Sequence, residues 1–453
     1  MKEFTAYEEM LDAKQYNALR NHLLEEEPAD IAQLIENIPP EKAVLIFRML
    51  PKDIAAAVFA ELYSDVQKSL IGLFSDTEIN QILEELFLDD AADFIEEMPA
   101  TIAKKVLANA KSETRDEINR LLKYPENSAG SIMTVEYVDL KRSMTVREAF
   151  ERIRKTGTDK ETIYTCYVTD SQRRLEGVVT AKDLMLAVRH EEIGDIMDTS
   201  IMYAGTHEDR EEVARRFNKY DLLSMPVVDL ENRLVGIITV DDIADVIQAE
   251  ATEDFEKMAA ILPSYKPYLK TNILRLAWNR LPWLIVLMLA AMFTETIISS
   301  YEHALEILPI LAGFIPLLMD TGGNSGSQSS TLIIRGMALF EIKKRDFFKV
   351  MFKEMRVGFL VGLGLSTINF IRVWITYTYI RPNEGANIIR VSATVSLTLL
   401  FTVIAANLIG GMLPIAAKKC GIDPAVMAAP LITTIVDVMA LLVFFALAML
   451  LLF

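Results

Sequence analysis

The chain reads as a multidomain protein: an α-superhelical N-domain, a tandem pair of α+β repeats, and an all-α transmembrane domain with five helices. Three observations predict this order. Short Pro-led apolar segments recur about every 11 residues near the front. A 59-residue repeat occupies the middle, and apolar windows of spanning length fill the rear. Its 453 residues exceed what one hydrophobic core usually serves. The expected boundaries are 1–127 for the helical N-domain, 128–248 for the repeats, 249–280 for a connecting helix and 281–453 for the membrane domain.

The front segment "PADIAQLIENIPPEKAVLIFRMLPKDIAAAVFAEL" sets Pro28, Pro40 and Pro51 at segment starts. Proline suits the first helical turn, where its missing N–H costs no hydrogen bond. Ile, Leu, Val and Phe follow at helical spacing, so each short helix has one apolar stripe to bury. Stacking buries it, and a right-handed superhelix is expected. Such a stack also serves as a protein-interaction scaffold.

The period changes near Gly130. "IYTCYVTDSQRRLEGVVTAKDLMLAV" and "LLSMPVVDLENRLVGIITVDDIADVI" each give strand, turn, strand and helix, and Gly177-Val-Val-Thr180-Ala-Lys-Asp183 aligns on Gly236-Ile-Ile-Thr239-Val-Asp-Asp242. Met133 and Met197 hold like places upstream of the two units. The units resemble tandem cystathionine-β-synthase-type (CBS) domains. In that family the Thr and Asp of this turn often hold a nucleotide, which makes Thr180, Asp183, Thr239 and Asp242 candidates for ATP or another adenine nucleotide. A hydroxyl and helix N–H groups suit phosphate, and a carboxylate suits a ribose diol. Helix capping explains the same residues, because Thr followed three residues later by Asp resembles a capping box.

Charge divides the chain. Residues 266–453 hold 16 Lys plus Arg and 10 Asp plus Glu, leaving 30 and 53 in residues 1–265. The front is near −23 and the rear near +6. So acidic a front repels nucleic acid and attracts cations. Asp242 and Asp245 fall together on a helix, and Glu250, Glu253 and Asp254 form a second group at i, i+3 and i+4. Like charges at that spacing destabilise a helix, and a divalent cation relieves them; otherwise they are a solvated face. The two cysteines, Cys166 and Cys420, exclude a disulfide framework. "MKEFTAYEEM" has no apolar signal-peptide core, so membrane targeting falls to later segments.

Windows of spanning length lie near 282–300, 307–339 (interrupted), 357–380, 391–416 and 425–450. The connection 341–356 carries six Lys/Arg and 417–423 carries Lys418 and Lys419. The 301–306 stretch has none and 381–390 has two. The positive-inside rule puts the two basic connections in the cytoplasm, with the N-terminus inside and the C-terminus outside. "MDTGGNSGSQSS" interrupts the second window with polar residues 320–328, which must be buried in protein or line a water-filled cavity. Gly358-x-x-x-Gly362 in the third window reads as a close-packing site.

Asp437 is the sole charge in the 29 residues from Ala425 to Phe453. An ionised Asp at mid-bilayer costs about 2.5–3.5 kcal/mol, so such residues face a bundle interior or a water path. Pro430, Thr433 and Thr434 lie seven, four and three residues before it, on its face. The alternative is a structural hydrogen-bond anchor between helices. The lining offers carboxylate, hydroxyl, amide and carbonyl oxygen, which suits hard cations. Mg²⁺ dehydrates reluctantly and keeps its waters. Two copies of one Asp around a two-fold axis suit a hydrated Mg²⁺, so a homodimer is expected.

"DTGGNSGSQSSTLIIRG", "KEMRVGFLVGLGLS", "NLIGGMLPIAAKK" and "DPAVMAAPLITTIVDV", together with the domain order, resemble the MgtE family of magnesium channels over nearly the whole chain. The resemblance implies that Asp437 holds a hydrated Mg²⁺ at a dimer axis and that the Thr433 carbonyl faces the same ion. It also implies regulatory Mg²⁺ at Asp89 and Asp93 ("LDDAAD"), Asp242 and Asp245 ("VDDIAD"), and Glu250, Glu253 and Asp254 ("EATED"), with a connecting "plug" helix closing the pore. Ala429 stands where family members can carry Asn before the Pro of the last span, so no gating role of that Asn carries over.

The expectation is a Mg²⁺-selective channel or facilitated transporter in the plasma membrane. Rivals are a Co²⁺, Mn²⁺ or Ca²⁺ route, and a membrane-anchored Mg²⁺ or nucleotide sensor. No G-x-x-x-x-G-K-[ST], H-E-x-x-H or G-x-S-x-G occurs, so no ATPase, metalloprotease or serine-hydrolase machinery is expected.

Overall fold

The computed structural model describes residues 2–264, 268–339, 341–380, 387–427 and 429–453. Arg381, one of the two basic residues in the 381–390 connection, lies outside them. The chain forms two compact units, Met1–Ile247 and Gln248–Phe453.

In the first unit the Pro-led segments are helices Pro28–Glu36, Pro40–Phe47 and Lys52–Ala60, the last preceded by Pro51. Ser64–Ile71, Asp76–Glu85, Leu88–Glu97, Ala100–Asn109 and Ser112–Leu121 continue the series. Packing skips a neighbour: Pro28–Glu36 lies on Lys52–Ala60, which lies on Asp76–Glu85, which lies on Ala100–Asn109. Each apolar stripe is thereby covered by the next-but-one helix. Phe47, Phe59, Phe74 and Phe94 run through this core, with the Phe59 and Phe94 rings edge-on at 5.1 Å. Such a pair adds about 0.5–1.5 kcal/mol beyond area burial.

The two repeats fold alike. Thr165–Thr169 pairs antiparallel with Leu175–Thr180 and parallel with Asp139–Leu140. Ser224–Val228 does the same with Leu234–Thr239 and Ala204–Gly205. Registers coincide after the 59-residue shift: Thr165 opposite Thr180 becomes Ser224 opposite Thr239, and Val168 opposite Gly177 becomes Val227 opposite Gly236.

The leading segments cross over. Thr134, ahead of the first sheet, exchanges both backbone hydrogen bonds with Ile237 of the second, each 2.8 Å. Asp198, ahead of the second sheet, does so with Val178 of the first, each 2.9 Å. The paired methionines explain the paired glycines. A Cβ at Gly236 would stand 2.7 Å from Met133 Sδ, and one at Gly177 2.6 Å from Met197 Sδ. Each repeat therefore wears the strap that begins the other.

The connecting segment expected over 249–280 is not one helix. Helix Val240–Met258 starts at the last strand of the second repeat, and the first apolar helix begins at Ile273. Among the described residues four helical segments are long and apolar enough to cross a membrane: Ile273–Ser300, Lys344–Ile380, Ile388–Lys419 and Ala429–Leu451. The remaining expected span is a continuous helix, Ile315–Ala338, entered through the 3-10 turn Pro309–Phe314. Its polar stretch does not break the helix. Gly322, Gly323, Ser325, Gly326, Ser329 and Ser330 are buried there, so the small residues serve packing.

This polar helix lies against Ile388–Lys419 and Ala429–Leu451. A Cβ at Gly410 would stand 2.1 Å from the Gly326 carbonyl oxygen, so the two backbones touch. Without a hydrophobic force between helices in lipid, such contact is what holds them. Gly410→Ala is expected to cost roughly 1–3 kcal/mol through overpacking. Gly364, with nothing within 4 Å of its Cβ position, tolerates Ala without loss. Thermal midpoints of the two purified variants check this; equal midpoints would contradict the contact.

Candidate cation sites

Asp437 is half-buried in the second unit on helix Ala429–Leu451. The expected polar stripe is present, with its hydroxyls turned inward to the backbone. Thr433 Oγ1 and Thr434 Oγ1 each donate to the Pro430 carbonyl at 2.9 Å. The polar helix faces this stripe. A Cβ at Gly323 would stand 2.8 Å from Thr433 Cγ2, and one at Gly322 2.9 Å from Val436 Cγ1. Asp320, an exposed residue of that helix, is close enough for its charge to act on Asp437. Carboxylates from two helices thus address one region.

Hydrogen bonds fix the polar helix from behind. Ser329 Oγ donates to Glu354 Oε2 at 2.8 Å, and the Ser325 and Asn407 side chains meet at 2.9 Å. Ser330 Oγ donates to the Met427 carbonyl at 2.9 Å, tying the helix to the turn before the last helix.

A second acidic site lies in the first unit. Asp89, Asp90 and Asp93 come from helix Leu88–Glu97, Glu136 and Glu161 from the first repeat, and Asp241 and Asp242 from the start of helix Val240–Met258. Burial first, then Asp90 and Glu136, push the Asp89 carboxyl up to about 7. Burial and Asp89 do the same for Asp242, to about 7, and for Glu161, to about 8. Asp90 rises to about 6 through burial and Asp242. Asp93, like Asp241, is exposed, and crowding protein with the charges of Asp89 and Asp90 lifts it to about 8. Because water reaches Asp93, the energetic weight rests on Asp89 and Asp242.

Some charge here is compensated and some is not. Leu88 N donates to Glu136 Oε2 at 3.1 Å. Among the described residues Asp89 Oδ1 and Glu161 Oε2 are buried without a hydrogen-bond partner. Orphaned buried carboxylate oxygens are costly unless a proton or cation meets them. Among the described residues no three Asp, Glu, His or Cys side chains converge on one metal position. The cluster therefore suits a cation that keeps much of its water.

Asp245 is exposed on the connecting helix, its carboxyl raised by burial and by Asp241. Glu250, Glu253 and Asp254 lie further along, in the second unit, half-buried. Glu253 differs from the sequence expectation of unrelieved repulsion, because Lys257 Nζ stands 2.7 Å from its Oε1. The same Nζ is 2.7 Å from Asp423 Oδ2, and Asp423 Oδ1 accepts from Ala425 N at 2.9 Å. One lysine thus links the connecting helix to the turn that starts the last helix.

The four turn residues of the repeats are engaged with each other. Thr180 and Asp183 form a full capping box, with Thr180 Oγ1 2.5 Å from Asp183 Oδ2. Thr239 Oγ1 donates to Asp242 Oδ2 at 2.6 Å. Asp242 has two roles, cap and cluster member. Burial pushes the Cys166 thiol up to about 12, which leaves it an inert core residue.

Asp90 and Asp241 are immediate neighbours of residues singled out by sequence, within "LDDAAD" and "VDDIAD". Glu136 and Glu161 carry no sequence signal, since only the fold brings their loops to Leu88–Glu97. Lys257 with Asp423 spans 166 positions and was equally invisible.

Comparison with known proteins agrees with this architecture. The family description "Divalent cation transporter" matches residues 315–447, "MgtE intracellular N domain" matches 26–127, and "CBS domain" matches 129–190 and 193–249. The magnesium transporter MgtE of Thermus thermophilus is 39% identical over 98% of this chain and 97% of its own. That of Bacillus subtilis is 32% identical over 95% and 93%. Among solved structures, the cytosolic domain of the Mg²⁺ channel MgtE in complex with ATP aligns at 37% identity with a TM-score of 0.52, covering 54% of this chain and 99% of that one.

Proposed function

Because this chain belongs to the MgtE family of membrane magnesium transporters, which are not enzymes, we propose that it is a Mg²⁺-selective channel or facilitated transporter, working as a homodimer and closed by intracellular Mg²⁺. The observation that carries this is Asp437, the single charge of the last apolar helix, set opposite a helix whose glycines bring Thr433 and Val436 close. Two such carboxylates across a two-fold axis attract a dication while leaving its water shell in place, which is the inexpensive way to hold Mg²⁺. The Thr433 hydroxyl spends its proton on the Pro430 carbonyl, so toward that shell Thr433 acts as an acceptor, and the reading assigns this contact to its carbonyl.

Closure follows from electrostatics. With little internal Mg²⁺ the carboxylates around Asp89 and Asp242 repel and hold protons; with abundant Mg²⁺ the ion replaces those protons. Asp93 and Asp245 in the first unit, and Glu250, Glu253 and Asp254 in the second, are the further carboxylates this reading assigns to regulatory Mg²⁺. The Lys257 bridge to Asp423 is the path by which a shift of the connecting helix reaches the last helix. The polar helix counts as the fifth span: neighbouring helices cover its glycines and most of its serines, while Asp320, Asn324 and Gln328 lie exposed along one face, as residues lining a water path would. Five spans put the acidic N-terminus in the cytoplasm and the C-terminus outside the plasma membrane. An adenine nucleotide at Thr180, Asp183, Thr239 and Asp242 belongs to this reading, prompted by the ATP in a relative's cytosolic domain.

Flux into liposomes holding the purified chain tests the proposal. Mg²⁺ entry with little inhibition by equimolar Ca²⁺ is expected. Entry of Mn²⁺ or Co²⁺ at ten times the Mg²⁺ rate would reassign the cargo, and no entry of any of them would leave a sensor.

A further inference from the structure

A cavity of about 610 Å³ lies between the polar helix and helix Phe347–Ile375, away from the Asp437 stripe. Its volume is in the range of small-molecule sites. Glu354 lines its inner wall, only 8% exposed, with Oε2 held by Ser329 Oγ and no partner for Oε1 among the described residues. Lys353 is the preceding residue on the same helix and also lines the cavity, with no carboxylate partner among the described residues. Leu332, Val357 and Val361 complete the wall and are 64%, 41% and 44% exposed on helices of the membrane unit. The site thus offers an anion and a cation side by side, opening onto apolar surface.

We propose that this cavity seats a phosphatidylethanolamine, with its ammonium on Glu354, its phosphate on Lys353, and its acyl chains along Leu332, Val357 and Val361. Three features select this occupant. A purely anionic headgroup meets too much like charge, because Glu341 and Asp346 join Glu354 in the lining and Lys349 is already bound to Asp346 at 2.9 Å. A choline headgroup brings no N–H for the buried carboxylate, whereas a primary ammonium brings three. A bare metal ion leaves the apolar wall uncovered and gives Lys353 no anion to meet. Basic pockets between spans bind anionic headgroups; the carboxylates in this lining turn the same kind of charge recognition toward an ammonium-bearing one.

The experiment uses the full chain in detergent with added phosphatidylethanolamine, phosphatidylcholine or phosphatidylglycerol of matched acyl chains, read by native mass spectrometry and thermal midpoint. Retention of phosphatidylethanolamine about tenfold above the other two is expected, the size of one charge-assisted hydrogen bond. Glu354→Gln keeps an oxygen for Ser329 and should erase that preference without moving the midpoint in phosphatidylcholine. Lys353→Ala, at an exposed position, should lower retention of phosphatidylethanolamine. Equal retention of the three lipids, a preference surviving both substitutions, stronger binding of phosphatidylglycerol, or displacement of the lipid by millimolar Mg²⁺ would each overturn the assignment.

Discussion

Asp437→Ala abolishes Mg²⁺ flux while leaving a protein at least as stable as the parent. The two halves of this expectation share one cause. An intramembrane carboxylate costs about 2.5–3.5 kcal/mol on insertion scales, so removing it relieves the fold. Losing a charged contact to the permeating ion, worth about 3 kcal/mol, lowers its occupancy about 100-fold. Asp437→Asn retains shape and hydrogen-bonding capacity without charge, and should be nearly as inactive. Thr433→Ala removes a hydroxyl that serves Pro430 and should retain flux within about threefold, since only a local backbone bond is lost. Flux of Mg²⁺ into liposomes, with thermal midpoints in parallel, checks all three. An Asp437→Ala protein that conducts like the parent would falsify the pore assignment.

Lowering the pH should stabilise the Mg²⁺-free first unit, and Mg²⁺ should cancel that dependence. Asp89 and Asp242 ionise near 7 in the folded chain, against about 4 when unfolded. The folded state binds the extra protons. The stabilisation is therefore complete below pH 4 and is lost progressively as pH rises from about 4 through the folded values near 7, by on the order of a few kcal/mol. Mg²⁺ takes the place of those protons, so its stabilising effect is large at pH 8 and small at pH 6. Hydrogen exchange of helix Leu88–Glu97 in the full chain, corrected for intrinsic rates, reads this directly. Without Mg²⁺ its protection should fall at least tenfold between pH 6 and 8; with Mg²⁺ it should hold. Asp89→Asn with Asp242→Asn should flatten both curves and leave flux insensitive to internal Mg²⁺. Unaltered Mg²⁺ closure in that double variant would refute control by this cluster.

What the sequence discloses here depends on how local each feature is. Pro28, Pro40 and Pro51 announce helix starts because a first turn has N–H groups to spare. The capping box of Thr180 and Asp183 is legible since it closes within four residues. Asp437 stands out because apolar neighbours make one charge conspicuous. The polar run 320–328 interrupts the apolar window, and it is helical with its glycines and Ser325 buried between close helices. Glu136 and Glu161 were beyond reach, as were Lys257 and Asp423: each pair is assembled by tertiary contacts with no period or spacing. The helix that begins at Val240 runs straight on from a strand and crosses the boundary expected at 248, where no composition shift marks it.

The crossed straps of the two repeats have a consequence for how the pair forms and persists. Half of the pair, however well its own sheet closes, lacks two backbone bonds and leaves a glycine groove empty of its methionine. Neither half is then a free-standing folding unit, and the two should melt in one all-or-none step, with cleavage between them leaving the fragments clasped. A duplicated segment that folded independently could lose one copy without harm. This one cannot, because each copy carries the piece that finishes its twin.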